Sequence, residues 1–361
     1  MFNPIGKGGY AELRMNPPVI IPAGLKKVPP FPPVAARLLT LLAQPDVKVK
    51  EVADLIASDA TFTGRLLQCV NSYEFGLSYP VSDVKQAVAL VGLDRTRQVT
   101  ISHATAAYAK GALRTAELRR CWQHTVATAV LSEEIAHACD AFTNVAFTAG
   151  VMHDIGRLAL LVAYPQEYER VIRGAAEQSL DILDFEREEF GVDHAEAGRV
   201  LAERWGLPLD LRVIAGRHHD PSEGSELDLL RIVHVACRLA EILGYDIVHA
   251  LVPQDVDTVL AELPPRARAR LRKTPAELCA KIEQRILEFD SDNGDKPPQA
   301  ALPVLAAATS EELEAEPEPG LETVYETEVI PPGPNRMARF AIGAVAVALA
   351  ILSVILLWRM Q

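Results

Sequence analysis

No C-x-x-C pair and no tight cluster occurs among the five cysteines, at positions 69, 121, 139, 237 and 279. That excludes a disulfide framework and fits a reducing cytoplasm. The first residues, MFNPIGKGGYAELRMNPPV, lack the apolar stretch of a secretory signal. Also missing is any window with the strict apolar-polar alternation that a sheet of several strands requires. Basic charge is scarce: the chain carries a net −12, and residues 291–335 hold ten acidic residues against the single Lys296. The remaining body is mildly acidic and repels a phosphate backbone, which argues against nucleic-acid binding.

What is present is apolar and helical. Hydrophobic residues make up 49% of the chain, enough for a sizeable core. Val34, Leu38, Leu41 and Leu42 recur at helical spacing, as do Val49, Val52, Leu55 and Ile56. Asp59 is placed as the N-cap of the next segment, and Gly92 separates two more. The expected fold class is therefore all-α. Residues 1–23 read as a flexible arm, 24–113 as an N-terminal helical half, 114–255 as a second helical half rich in histidine, and 256–290 as C-terminal helices. LRRCWQHTVATAVLSEEIAHAC, in the second half, reads as a long amphipathic helix.

Residues 291–335 are rich in Pro, Glu and Ala and poor in large apolar side chains, the composition of a disordered linker. Such a tether averages roughly 40 Å end to end, and more when proline and like charge extend it. Residues 336–361 read as a single transmembrane tail anchor. FAIGAVAVALAILSVILLW, residues 340–358, contains no charge and as a helix is about 28 Å long, sufficient to span a bilayer. Arg336 and Arg339 on its N-terminal side outnumber Arg359 beyond it, which favours a body in the cytoplasm.

GVMHDIGRLAL, residues 150–160, sets His153 and Asp154 inside an apolar run. Neighbours on a helix point about 100° apart, so this pair closes round an ion only if ligands arrive from other segments. Alone, it also reads as an N-cap Asp154 for IGRLALLVA with a histidine at the helix junction. Other histidines are available on separate predicted helices: His124, His194, His218 and His219. Asp193 with Glu196 forms a capping box that puts His194 at the first helical position, and Gly206 with Pro208 closes that helix. Imidazoles and a carboxylate from several helices suit a divalent Fe, Mn or Zn centre. His103, His137, His234 and His249 follow no such pattern and read as structural or surface residues.

The order His124, then AFTAGVMHDIGRLAL, then FGVDHAEAGRVLAERWGLP, then RHHDP resembles the HD-related output domain (HDOD) branch of the HD phosphohydrolase superfamily. LIASDATFTGRLLQCVNSYEFG and AVALVGLDRTRQVTIS resemble the same family's N-terminal helices, so the likeness covers residues 24–250. The resemblance implies an all-helical domain whose second half has the HD core. His124 and His153-Asp154 match the first metal ligands, and His194, His218 and His219 match further histidines of the binuclear type. It also implies a later Asp ligand within RIVHVACRLAEIL, where this chain has Cys237, and a G-Y-P segment that HHDPSEGSELD lacks. A thiol is a poor ligand for Mg²⁺ or Mn²⁺, though it binds zinc.

These departures, and the regulatory character of the family, point to a membrane-tethered bacterial signalling module of the inner membrane. It would bind a protein partner or small ligand without catalysis. The alternative is a metal-dependent phosphohydrolase acting on a nucleotide or cyclic dinucleotide. One basic run, Arg266, Arg268, Arg270, Arg272 and Lys273, reads as a solvated short helix or as a contact for anionic lipid or phosphate. Thr274 and Glu277 form a capping box for the helix after it, with Pro275 at its first position.

Overall fold

Short polar residues ahead of apolar runs start many of the helices. In the computed structural model, which describes residues 23–292 except 45, 73–74, 78, 179, 221–226, 249–254 and 272–273, the Asp59 carboxylate accepts from the backbone of Thr61 and Phe62. Asp83, Thr115, Asp181, Asp193, Asp228 and Asp255 cap other helices in the same way. The expected arm up to residue 22, the acidic linker from residue 293, the apolar segment 340–358, His249, Arg272 and Lys273 lie outside the described residues.

The described residues contain helices and no strand. A 3-10 turn at Ala23–Lys27 precedes α1 (Pro33–Leu42), α2 (Val49–Ala57), α3 (Ala60–Val70), α4 (Val84–Val91) and α5 (Leu93–Ala109). The second half holds α6 (Ala116–Cys139), α7 (Ala146–Met152), α8 (Ile155–Ala163), α9 (Pro165–Gln178), α10 (Ile182–Phe190), α11 (His194–Arg204), α12 (Leu209–Arg217) and α13 (Leu229–Ala240). A π-turn at Glu241–Tyr245, then α14 (Val256–Leu260), α15 (Pro265–Arg270) and α16 (Pro275–Asp292) complete the body.

α6 is the axis. The sequence suggests an amphipathic helix, but 16 of its 24 residues are buried, because α7, α13, α15 and α16 all pack against it. Ala146–Ala163, which spans α7 and α8, is long and apolar enough to cross a membrane by composition, yet 89% of it is buried in the protein. It is core.

One hydrophobic core runs from Leu25 to Ile286. Phe31 of the N-terminal half stacks on Trp205 at 5.7 Å, and Tyr108 meets the same ring edge-on. The buried Arg97 on α5 donates to the carbonyls of Leu42 and Asn144, at 2.6 and 2.5 Å. The Thr274–Glu277 box is reciprocal. The Asp193–Glu196 box is only half made, because Glu196 turns to Arg199 while its own N–H bonds Asp193.

Candidate metal centre

Five helices and their junctions bring the six predicted side chains together, and a sixth helix adds Cys237. His124 comes from the middle of α6, His153 and Asp154 from the break between α7 and α8, and His194 from the first residue of α11. His218 and His219 follow the end of α12, and Cys237 lies on α13. His153, Asp154, His194 and His218 are each only 1% exposed. Asp154 occupies the N-cap position of α8, but its carboxylate makes no capping bond. The cap reading fails because the carboxylate is turned inward, to a cation.

That cation is Arg157, one turn along α8. Its Nε donates to Asp154 Oδ2 at 2.7 Å, its Nη1 to the Tyr168 hydroxyl at 3.0 Å, and its Nη2 to His194 Nε2 at 2.8 Å. Glu186 of α10 completes the network. Its Oε2 accepts from both the backbone and Nδ1 of His194, at 2.7 and 2.6 Å, and its Oε1 from the Tyr168 hydroxyl. Sequence reasoning missed Arg157, Tyr168 and Glu186. A signal existed for the first, since Arg157 is the lone charge inside an apolar helix.

The remaining ring nitrogens are oriented by the backbone. His124 Nδ1 donates to the Tyr245 carbonyl at 2.9 Å, and His153 Nδ1 to that of Gly150 at 2.6 Å. His218 Nδ1 faces the carbonyls of Ile214 and Ala215. In each case Nε2 is left as the lone-pair nitrogen. The buried His234, read from sequence as structural or surface, donates Nδ1 to the His218 carbonyl at 2.7 Å.

Electrostatics sort these groups cleanly. Burial pulls the His124 imidazole down to about 3 and holds those of His153, His218 and His219 below their ordinary value. They are neutral, the form that binds metal. Burial pushes the Asp154 carboxyl up, but the Arg157 guanidinium beside it overcomes this and keeps it well below the usual carboxylate range. Glu186 is likewise raised by burial and brought below its ordinary value by His194 and Arg157. Burial keeps Cys237 a thiol, with Sγ 3.4 Å from His124 Nε2.

Three overlapping groups have the spacing of metal ligands, with donor atoms within 4.8 Å of one another: His124, His153 and Cys237; His153, Asp154 and His218; His194, His218 and His219. His153 Nε2, Asp154 Oδ1 and His218 Nε2 are buried without a hydrogen-bond partner. Three lone pairs converging in a buried interior repel one another unless a cation lies among them, so the donor set fits a divalent ion. The basic run is elsewhere: Arg266, Arg268 and Arg270 are exposed on α15, and Arg270 pairs with Asp140.

The HDOD domain profile matches residues 28–221, more than half of the chain. An uncharacterised protein of Treponema pallidum is 27% identical over 202 residues, covering 54% of this chain and 38% of that relative's length. An HDOD domain protein of unknown function from Geobacter sulfurreducens has a solved structure that superposes with a TM-score of 0.57. It is 24% identical and covers 73% of this chain and 91% of its own. A protein described as one of signal transduction, from Marinobacter aquaeolei, gives 0.59 at 19% identity, over 74% of this chain and 60% of its own. A protein described as a phosphohydrolase from Shewanella amazonensis gives 0.52 at 22% identity, over 76% and 99%. At these identities the structural likeness is one of fold.

Proposed function

The chain belongs to the HDOD family, and on that premise we propose that it is a membrane-tethered signalling module whose helical body recognises a protein partner or small ligand without turning one over. The observation that carries this reading is Arg157. Its guanidinium is bound to Asp154, Tyr168 and His194, and it is buried with them. Metal-assisted hydrolysis needs an open coordination position, a water and room for the substrate's phosphate beside it. Here an internal cation takes up one oxygen of the carboxylate and one imidazole, and at position 237 the sequence offers a thiol in place of a carboxylate. A divalent ion of the Fe, Mn or Zn class would serve this module by joining helices.

The three open lone pairs favour a second reading, a phosphohydrolase acting on a nucleotide or cyclic dinucleotide. The purified full chain, supplied in turn with Mn²⁺, Fe²⁺ and Mg²⁺, is expected to leave cyclic di-GMP and common nucleotides intact. Metal-dependent turnover that disappears in Asp154→Ala would replace the signalling reading with the hydrolase one.

The tether is proposed from the uncharged residues 340–358, with the body on the cytoplasmic side of the inner membrane. The full chain is then expected in the inner-membrane fraction and a chain ending at Asn335 in the soluble one. Retention of the shortened chain on membranes after a high-salt wash would remove the tether from the proposal.

A further inference from the structure

We propose that the buried centre holds one divalent ion rather than two, and that the Arg157 guanidinium stands in the place of the second. This rests on the reading of the centre as a retained ion site. The ligands of the single ion are the three atoms left without partners, His153 Nε2, Asp154 Oδ1 and His218 Nε2. Two imidazoles and one carboxylate select a first-row ion such as Fe²⁺, Mn²⁺ or Zn²⁺ over Mg²⁺ or Ca²⁺, which prefer oxygen donors throughout.

The second half of the centre is already closed. His194 gives Nδ1 to Glu186, so its Nε2 carries the lone pair, and Arg157 Nη2 donates to that lone pair at 2.8 Å. His219 Nε2 lies 2.8 Å from the same atom and must be a donor too. His194 has no lone pair left for an ion at that end, and His219 presents an N–H there rather than a lone pair. The other oxygen of Asp154, which would bridge two ions, is taken by Arg157 Nε at 2.7 Å. At the opposite flank, His124 Nε2 accepts from the Cys237 thiol.

Charge gives the same division. Asp154 and Glu186 bring two negative charges, and Arg157, which stays protonated under all conditions of interest, returns one. One divalent ion leaves the cluster a single charge from neutrality; a second would leave three uncompensated positive charges in a buried interior, where even one is costly. Removing Arg157 would release Asp154 Oδ2 and His194 Nε2, with His219 beside them, which is a second ligand set.

The test uses the full chain in detergent, stripped of metal and reloaded with Mn²⁺ alone. Bound metal is counted by elemental analysis, and paramagnetic resonance reports whether ions are isolated or exchange-coupled. Wild type is expected to hold one isolated ion, Arg157→Met to hold two coupled ions, and Arg157→Lys, which keeps the charge, to hold one. A wild-type count of two or of none overturns the proposal, as does a folded Arg157→Met that still holds one. Should Arg157→Met not fold, His218→Ala decides: loss of the ion supports the ligand assignment, and a retained ion overturns it. Turnover of a phosphoester would sink the signalling reading without altering the ion count, so the two failures are separable.

Discussion

Replacing Gly156 by alanine tests how tightly the fold holds the site. A methyl group built on Gly156 would lie 2.0 Å from the His194 carbonyl oxygen, 2.3 Å from the Gly198 nitrogen and 2.7 Å from its Cα. Ordinary contact begins at 3.4 Å. All three obstacles are backbone, so no rotamer change relieves them, and α11 must move as a body away from α8. Alanine is worth about 1 kcal/mol more than glycine in a helix interior, and over-packing typically costs about 1–3 kcal/mol, sometimes more. A clash with rigid backbone belongs at or above the top of that range, so the net loss is expected near ~3 kcal/mol. At roughly 2–4 °C per kcal/mol for a domain of this size, the melting midpoint falls by about 6–12 °C. Gly64, on α3, is the control: nothing lies within 4 Å of a methyl group there, and Gly64→Ala should stabilise by up to ~1 kcal/mol. The readout is thermal unfolding of the full chain by circular dichroism. If the two substitutions shift the midpoint in the same direction, the close approach of α8 and α11 is not what the structure describes.

Asp154→Ala strips the buried Arg157 of its closest carboxylate. Breaking a buried pair costs about 3–5 kcal/mol, and the lower end is expected because Glu186 remains near; Asp154→Asn should lose less, and equal stability of all three proteins would refute the pairing. In metal-free protein, His124, His153, His218 and His219 are neutral when folded but take protons below about pH 6.5 when unfolded. Stability therefore falls as pH drops below that value, by up to about 1.4 kcal/mol per pH unit for each histidine, whereas Asp154, depressed in the fold, loses its contribution only below about pH 4. A urea midpoint that stays flat from pH 7 to 5 would contradict this. Residues 114–255 expressed alone should be molten or aggregated, since Trp205 loses Phe31 and Tyr108; a fragment with a sharp thermal transition would count against one shared core.

The all-helical fold was legible because its signals are local. Asp59 before a helical run, Gly92 between two, and Gly206 with Pro208 after a third each act over a few residues, and the structure has helix boundaries there. The convergence of His124, His153, Asp154, His194, His218 and His219 is not local: their placement on separate helices made a shared centre a candidate, and the family resemblance supplied their order as ligands. Asp154 shows the limit well. An aspartate before IGRLALLVA has the same pattern whether it caps the helix or faces the interior, and only Arg157, paired with Glu186 behind it, decides between the two. Glu186 was invisible because DFEREEF surrounds it with other acidic residues. α6 was misjudged as amphipathic for a related reason. Its polar positions, Thr125, Thr128, Ser132 and Glu133, are buried among neighbouring helices that no single-helix pattern contains.

A buried cluster of ions is a poor way to gain stability, since well-packed apolar side chains in its place are often neutral or better. Its physical effect here is to fix an arrangement. Arg157 on α8 meets Tyr168 on α9, Glu186 on α10 and His194 on α11 at once, within 3.5 Å, and those bonds survive only one relative placement of the four helices. An apolar interface tolerates sliding that this network does not. α11 then extends the constraint outward. It begins at His194, in the network, and ends at Arg204, next to Trp205, whose ring stacks on Phe31 of the N-terminal half. Eleven residues of helix make a rod of about 16 Å, so displacement of His194 at one end moves the contact with the N-terminal half at the other. On the one-ion proposal, a site whose second ion position is filled by an arginine still holds the two halves in register, which is what the proposed signalling body needs.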